Sequence, residues 1–235
     1  MKTRLIHLVN HGEIRRQDRL RRYIGQLDVP LSELGQRQAR ELARRLAGVP
    51  LDGVYCSDLT RSSQTAEAVG FAAAAPVLAR ADLREVSLGE WEGRTFREIA
   101  ARFPEQFRAR GRDMGGFRPP GGESFVGCSQ RVVRAFHEIL GSTSGDLVIV
   151  GHAGVNRLLV CHLLGMLPAN LFRLRQEPAC INSIRCQGTS FQVSVVNGCL
   201  SDLGRERRLE TRHQRRDRAG GPEAACQPDR DEFLM

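Results

Sequence analysis

Leu8-Val9-Asn10-His11-Gly12-Glu13, near the start of the chain, and Val148-Ile149-Val150-Gly151-His152-Ala153-Gly154, past its middle, decide how the rest is read. Each is an apolar, largely β-branched run that stops abruptly at a histidine followed by small residues. Such a run reads as a buried parallel strand that delivers an imidazole to its carboxyl end. In open α/β sheets ligands bind at that end. Two such strands bring two histidines face to face, one able to act as a nucleophile and the other as its electrostatic partner.

Outward from these strands the pattern alternates between β and α. The first strand spans 5–9 and is followed by a polar loop over 14–30. A helix then begins near Leu31, with Ser32 as its N-cap and Ala39, Leu42, Ala43 and Leu46 at helical spacing. Residues 52–56 form a short strand, 59–69 a helix, 72–75 a turn and 77–78 another strand. Residues 94–109 read as a helix that Phe103-Pro104 kinks or interrupts. The Gly- and Pro-rich stretch 111–122 is a loop or lid. A long helix over 123–140, a strand over 146–150, a helix over 154–164 and a short helical stretch over 168–174 follow. Two last strands, 179–186 and 191–197, are joined by Gln187-Gly188-Thr189. This order predicts a three-layer α/β/α fold with a mostly parallel central sheet, over residues 1–203. Segment 204–235 is charged and lacks a core face, and is expected to be disordered.

Composition narrows the class. The chain has 235 residues, 41% hydrophobic and 26% charged, ordinary for a globular domain with a sizeable core. No apolar run is long enough to span a membrane. The N-terminus shows no signal-peptide pattern, so a cytoplasmic location is expected. None of the seven cysteines forms a C-x-x-C pair, and most read as small buried hydrophobes. The net charge is +8, and Lys2 is the sole lysine. This positive charge is spread rather than striped and has few aromatics interleaved, which argues against nucleic acid and suits a small anionic substrate. Nothing in the sequence specifies an oligomer.

Four segments that each follow a strand converge in this topology: 10–13, 57–61, 83–85 and 151–154. They supply two imidazoles, an arginine and a carboxylic acid, a set suited to phosphoryl transfer without metal or other cofactor. A neutral His11 can attack phosphorus and carry it as phosphohistidine. Arg61 can clamp the non-bridging oxygens with a fork of hydrogen bonds. His152, once protonated, can stabilise charge on the equatorial oxygens. Glu85, held protonated, can donate to the leaving alkoxide and later accept a proton from water. His7, His137 and His162 fall inside regular elements and read as structural.

The motifs resemble those of the histidine phosphatase superfamily, in the branch shared by cofactor-dependent phosphoglycerate mutases and small phosphatases such as α-ribazole phosphatase. The resemblance rests on Asn10-His11-Gly12-Glu13, Gly25 to Gly35, Ser57-Asp58-Leu59-Thr60-Arg61-Ser62-Ser63-Gln64-Thr65-Ala66, Leu83-Arg84-Glu85 with Gly89-Glu90-Trp91-Glu92-Gly93, Pro120 to Ser124 and Gly151 to Gly154. It implies a phosphoglycerate mutase-like fold, with His11 as the phosphorylated nucleophile and Glu85 as proton donor. It also implies phosphate binding by Arg61, His11, His152 and the residue at position 10, and a substrate-side place for Gln17 and Gly25. One departure stands out. Asn10 occupies the place of the family's phosphate-binding arginine and brings hydrogen bonds but no charge. Losing such a contact removes about 2–4 kcal/mol of transition-state stabilisation, roughly 30- to 1,000-fold in rate. Arg15, Arg16 or Arg19 are candidates to compensate.

The expected activity is therefore hydrolysis of a small phosphate monoester, with α-ribazole phosphate one option that the resemblance carries. The short spacing 86–119 between the acid and the Pro-Gly-Gly-Glu-Ser segment disfavours a mutase. The rival reading is a weakened pseudo-phosphatase that binds a phospho-ligand.

Overall fold

The structure is a computed structural model that describes residues 3–16, 18 and 20–199. The charged segment 204–235, Gln17 and Arg19 lie outside the described residues.

Six strands form one mixed sheet: β1 (Arg4–Asn10), β2 (Gly53–Cys56), β3 (Val77–Ala79), β4 (Leu147–Gly151), β5 (Ile181–Gln187) and β6 (Ser190–Gly198). Their order is β3-β2-β4-β1-β5-β6. The first four are parallel, and β5 and β6 return as an antiparallel hairpin on the β1 edge. The α/β expectation therefore holds. β1 and β4 are buried nearly throughout, which is why both read as unbroken apolar runs.

The helices are α1 (Glu33–Leu46), α2 (Thr60–Ala73), α3 (Phe96–Arg102), α4 (Pro104–Arg112), α5 (Phe125–Ser142) and α6 (Ala153–Leu163). α5 and α6 pack with Ile6, Leu8, Leu147 and Ile149 in one core. The alternate residues Leu5, Val9, Val148 and Val150 are equally buried, facing the layer where α2 packs on α1. Ser32 caps α1, its hydroxyl accepting from Gly35 N at 3.0 Å.

Most element boundaries differ from the sequence reading by one or two residues, and three of the differences have a clear local cause. α2 runs on to Ala73, so the turn read at 72–75 shrinks to a left-handed Ala74. The helix read over 94–109 is two helices, because Pro104 has no N–H to continue α3 and instead opens α4. α5 starts two residues late because Ser124 serves as its N-cap.

Cys56, Cys128, Cys161, Cys180 and Cys186 are buried free thiols. Trp91 is fully buried with Tyr23 and Ile99. Among the described residues no helix is long and apolar enough to cross a membrane.

Candidate active site

The site is built where β1 and β4 end together. Asn10 and Gly151 are partners in the parallel register, and His11 N donates across to Gly151 O at 3.3 Å. Each strand therefore releases its histidine one residue later and at the same level. The two imidazole centroids lie 5.1 Å apart at an interplanar angle of 66°.

Gly12 is required by close approach. A Cβ there would stand 2.5 Å from Gly35 O, and a Cβ on Gly35 would stand 2.0 Å from Glu13 O. The chain after His11 thus lies backbone against backbone on the start of α1. Thr65 Oγ1 accepts from Gly12 N at 3.3 Å and donates to Arg61 O at 2.9 Å, tying this corner to α2.

His11 Nδ1 lies 2.7 Å from Gly12 O. A carbonyl oxygen only accepts, so Nδ1 carries the proton and Nε2 keeps its lone pair. Nε2 accepts from Arg61 Nε at 3.2 Å. Burial and then the Arg61 charge push the His11 pKa down to about 3, with the Gly12 bond opposing. The imidazole is thereby a neutral base whose unprotonated nitrogen faces Arg61.

Arg61, on the first turn of α2, is 2% exposed. Its Nη1 donates to Leu27 O and its Nη2 to Gly25 O, both at 2.7 Å. Burial lowers its pKa, with Glu85, Asp28 and Glu92 opposing. Gly25 thus meets the site through its carbonyl, as an anchor for Arg61, and does so at φ +53, the left-handed region that glycine tolerates. The loop that carries it is itself pinned, since Asp28 accepts from Thr60 N at 2.7 Å and caps α2 from outside.

His152 is fully buried, and its Nε2 lies 2.7 Å from Ser57 Oγ. Ser57 Oγ also accepts from Leu59 N at 3.3 Å, and the arrangement that uses both its acceptor and its donor gives the hydroxyl proton to Nε2. That leaves the proton of His152 on Nδ1, which is buried with no hydrogen-bond partner. Burial, then His11, Arg61 and Arg131, lower the His152 pKa well below the ordinary histidine value. The ring is therefore neutral while no anion is bound.

Glu85 follows the 3-10 turn Ala81–Leu83. Its Oε1 accepts from Val86 N and its Oε2 from Gly154 N, both at 2.9 Å. The second bond uses one of the free N–H groups at the start of α6 and holds the carboxyl beside His152.

Asn10 is 3% exposed. Its Nδ2 donates to Glu177 O at 2.9 Å, while its Oδ1 is buried without a partner. The amide donor expected at the phosphate is thus engaged with the segment that leads into β5. Arg15 and Arg16 are exposed and line a cavity whose lining includes neither His11 nor His152.

Reading the sequence alone missed Ser57, Thr65 and Asp28 as site-building residues, although all three fall inside the quoted motifs. It also missed Asn156, which is buried with neither amide atom partnered. Among the described residues no group of three or more His, Cys, Asp or Glu is placed to hold a metal.

Comparison with known proteins identifies the family. Residues 6–198 match the histidine phosphatase superfamily, branch 1, and the chain belongs to that family. It is 34% identical over 183 residues to the adenosylcobalamin/α-ribazole phosphatase of Salmonella typhimurium, covering 77% of this chain and 90% of that protein. It is 35% identical over 174 residues to the glucosyl-3-phosphoglycerate phosphatase of Mycolicibacterium vanbaalenii, covering 71% and 76%. The crystal structure of the α-ribazole phosphatase from Shigella flexneri superposes with a TM-score of 0.76 at 30% identity, over 83% of this chain and 96% of that one.

Proposed function

We propose that this protein is a metal-independent phosphomonoesterase that hydrolyses small phosphate monoesters through a phosphohistidine on His11. The observation that carries the reading is the state of His11. Its Nδ1 proton is given to Gly12 O, its Nε2 is unprotonated, and a buried arginine stands beside that nitrogen.

In the first step the Nε2 lone pair attacks phosphorus and the bond to the ester oxygen breaks. Glu85 passes its proton to the departing alkoxide. Arg61 and the Nδ1–H of His152 donate to the non-bridging oxygens, where charge gathers. An arriving phosphate dianion favours the protonated form of His152. Ser57 accommodates the change, since its hydroxyl can turn from donor to acceptor on Nε2. In the second step water attacks the phosphohistidine, Glu85 takes its proton, and inorganic phosphate leaves with the nitrogen restored.

Asn10 lines the site at the end of β1 and brings a dipole where a cation would serve better. For it to reach phosphate, Nδ2 must leave the Glu177 carbonyl. That engagement favours a second reading, a protein that binds phosphorylated ligands and turns them over slowly. The α-ribazole phosphatase relatives make α-ribazole phosphate a substrate to test first, within a small cytoplasmic metabolite pool.

Phosphate release from a panel of monoesters, with His11→Ala as control, tests the proposal. Acid quench within milliseconds is expected to trap acid-labile phosphate on His11. Isomerisation of 3-phosphoglycerate faster than phosphate release would reassign the chain as a mutase. An inert native protein that gains turnover with Asn10→Arg would establish the binding reading.

A further inference from the structure

Arg157 lies on α6, three residues beyond Gly154, whose N–H holds Glu85 at 2.9 Å. A Cβ on Gly154 would run into the Glu85 carboxyl, so that side of α6 faces the proton donor, and residues i and i+3 share a helix face, which puts Arg157 on the same side. It is half-buried, and its Nε donates to Leu174 O at 2.7 Å. Its guanidinium lies 5.6 Å from the centroid of Phe172.

A second arginine meets the same ring. Arg110, from α4, lies 5.7 Å from the Phe172 centroid and 5.8 Å from that of Tyr23. Among the described residues Arg110 and Arg157 form no salt bridge with a carboxylate. Arg80, Arg84 and Arg131, which brace the fold around residues 82–85, each do. Two like charges drawn to one ring without a counter-ion repel each other, and partial burial sharpens that repulsion. The Tyr23 hydroxyl beside Arg110 is buried without a hydrogen-bond partner. Burial raises the Tyr23 pKa, against the Arg110 charge, so it stays an O–H donor. Phe172 itself is 52% exposed.

The ester oxygen that Glu85 protonates belongs to the leaving alcohol, so the alcohol departs on the Glu85 side of the phosphate. We propose that Arg110, Arg157 and Phe172 form a leaving-group subsite for a second anionic group, a carboxylate or phosphoryl, carried on the alcohol part of the substrate. The guanidinium groups supply forked donors for its oxygens, and the ring covers the carbon skeleton. This assignment rests on the phosphomonoesterase reading and deepens it by naming the substrate class.

Two matched pairs of esters test it. 3-Phosphoglycerate and glycerol 3-phosphate differ by a carboxylate in place of a hydroxymethyl group. Propane-1,3-diol bisphosphate and 3-hydroxypropyl phosphate differ by the second phosphoryl group. In the native enzyme kcat/KM is expected to favour the anionic member of at least one pair by about tenfold or more, and the favoured pair tells carboxylate from phosphoryl. That ratio is expected to fall about tenfold in Arg110→Gln and in Arg157→Gln. A merely structural role would lower both members of a pair alike and leave the ratio unchanged. Ratios near one in both pairs, or ratios unmoved by both substitutions, overturn the subsite while the phosphatase reading stands. If none of the four esters, nor p-nitrophenyl phosphate, is hydrolysed, the phosphatase reading falls. Calorimetric titration of the native protein with the same four compounds then decides the subsite. Tighter binding of an anionic member upholds it, and equal binding within each pair overturns it.

Discussion

The two walls of the site are built to opposite rules. On the His11–Arg61 wall every side-chain nitrogen has a partner: Gly12 O for Nδ1, the Arg61 Nε for Nε2, and the Leu27 and Gly25 carbonyls for the guanidinium tips. On the facing wall Asn10 Oδ1, His152 Nδ1 and both amide atoms of Asn156 are buried without one. Asn10 and Gly151 are register partners, so they point to the same face of the sheet. There Asn156 Oδ1 fills the space where a Gly151 Cβ would stand, 2.4 Å away. Each buried polar atom without a partner costs about 1–3 kcal/mol. The first wall is thus preorganised before substrate arrives. The second stores unmet hydrogen-bonding capacity, of which the His152 Nδ1–H is the portion a phosphate can use.

The sharpest way to break this contrast is to disarm the preorganised wall. His11→Ala is expected to lower turnover roughly 10⁴-fold or more, as loss of a nucleophile does elsewhere, and to abolish acid-labile phosphate on the protein. Residual turnover near the native rate would move the nucleophile elsewhere. Arg61→Lys keeps the charge but has one nitrogen where the fold uses three. It is expected to cost about 100-fold in kcat and to leave the Gly25 and Leu27 carbonyls short of donors. An effect within a few-fold would mean that charge alone matters there.

Restoring a cation to the other wall is the reciprocal test. Asn10→Arg can give one N–H to the Glu177 carbonyl and direct the others to the phosphate. An increase of about 30-fold in kcat with little change in KM is expected, because the added charge meets a demand that grows only in the transition state. Unchanged or lower turnover would show that position 10 does not limit the rate.

The side chains of both walls, His11 and Arg61 on one and His152 and Asn10 on the other, were legible in the sequence; Asn156 and the partner that each group takes were not. A β-branched run ending in His-Gly can be read from residue types, since burial on both faces forces the apolar run and close approach forces the glycine. The convergence of 10–13, 57–61, 83–85 and 151–154 followed from strand order alone. What escaped reading was set by single hydrogen bonds. Nothing in the composition says that Gly25 serves through its carbonyl, that Asn10 gives its amide to Glu177, or that Ser57 holds His152. Asn156 sits in an otherwise apolar helical stripe, and its missing partners appear only once β1, β4 and α6 are superimposed in space.

Protonation offers a gentler probe of the same wall. Without an anion, burial keeps His152 and His11 neutral, whereas the unfolded chain protonates both near pH 6.5. Their pKa values are depressed by folding, so the associated stability is fully present above about pH 6.5 and is lost as pH falls toward 3. Tm is expected to drop over that interval in the absence of phosphate. Bound phosphate favours the charged form of His152, so binding takes up a proton. Affinity for inorganic phosphate is then expected to strengthen as pH falls from 7 to 5, by up to about tenfold per pH unit for one proton taken up, offset in part by protonation of the phosphate itself. Titration calorimetry in buffers of different ionisation enthalpy reads the uptake directly. Proton release, or no exchange, would mean that His152 stays neutral in the complex.

The smallest expected effect isolates the cost of the unsatisfied wall from its use. The Asn156 side chain bonds no group placed in the chemistry, yet it buries two polar atoms beside Gly151 at the foot of the site. Leucine has the same heavy-atom branching as asparagine, with two bulkier methyls in place of the amide oxygen and nitrogen, and brings no polar atom. Asn156→Leu is therefore expected to raise stability by about 1–2 kcal/mol, a Tm increase of roughly 2–8 °C for a domain of this size. Denaturant or thermal unfolding measures it. A loss of stability would mean that the amide has partners in solution, most simply a water bridging Asn156 Nδ2 to Asn10 Oδ1. A double-mutant cycle with Asn10→Ala separates the two accounts. Additive effects within about 0.5 kcal/mol mark independent unsatisfied groups, whereas a larger coupling energy marks a hydrated amide pair that stands where a single arginine would otherwise reach the phosphate.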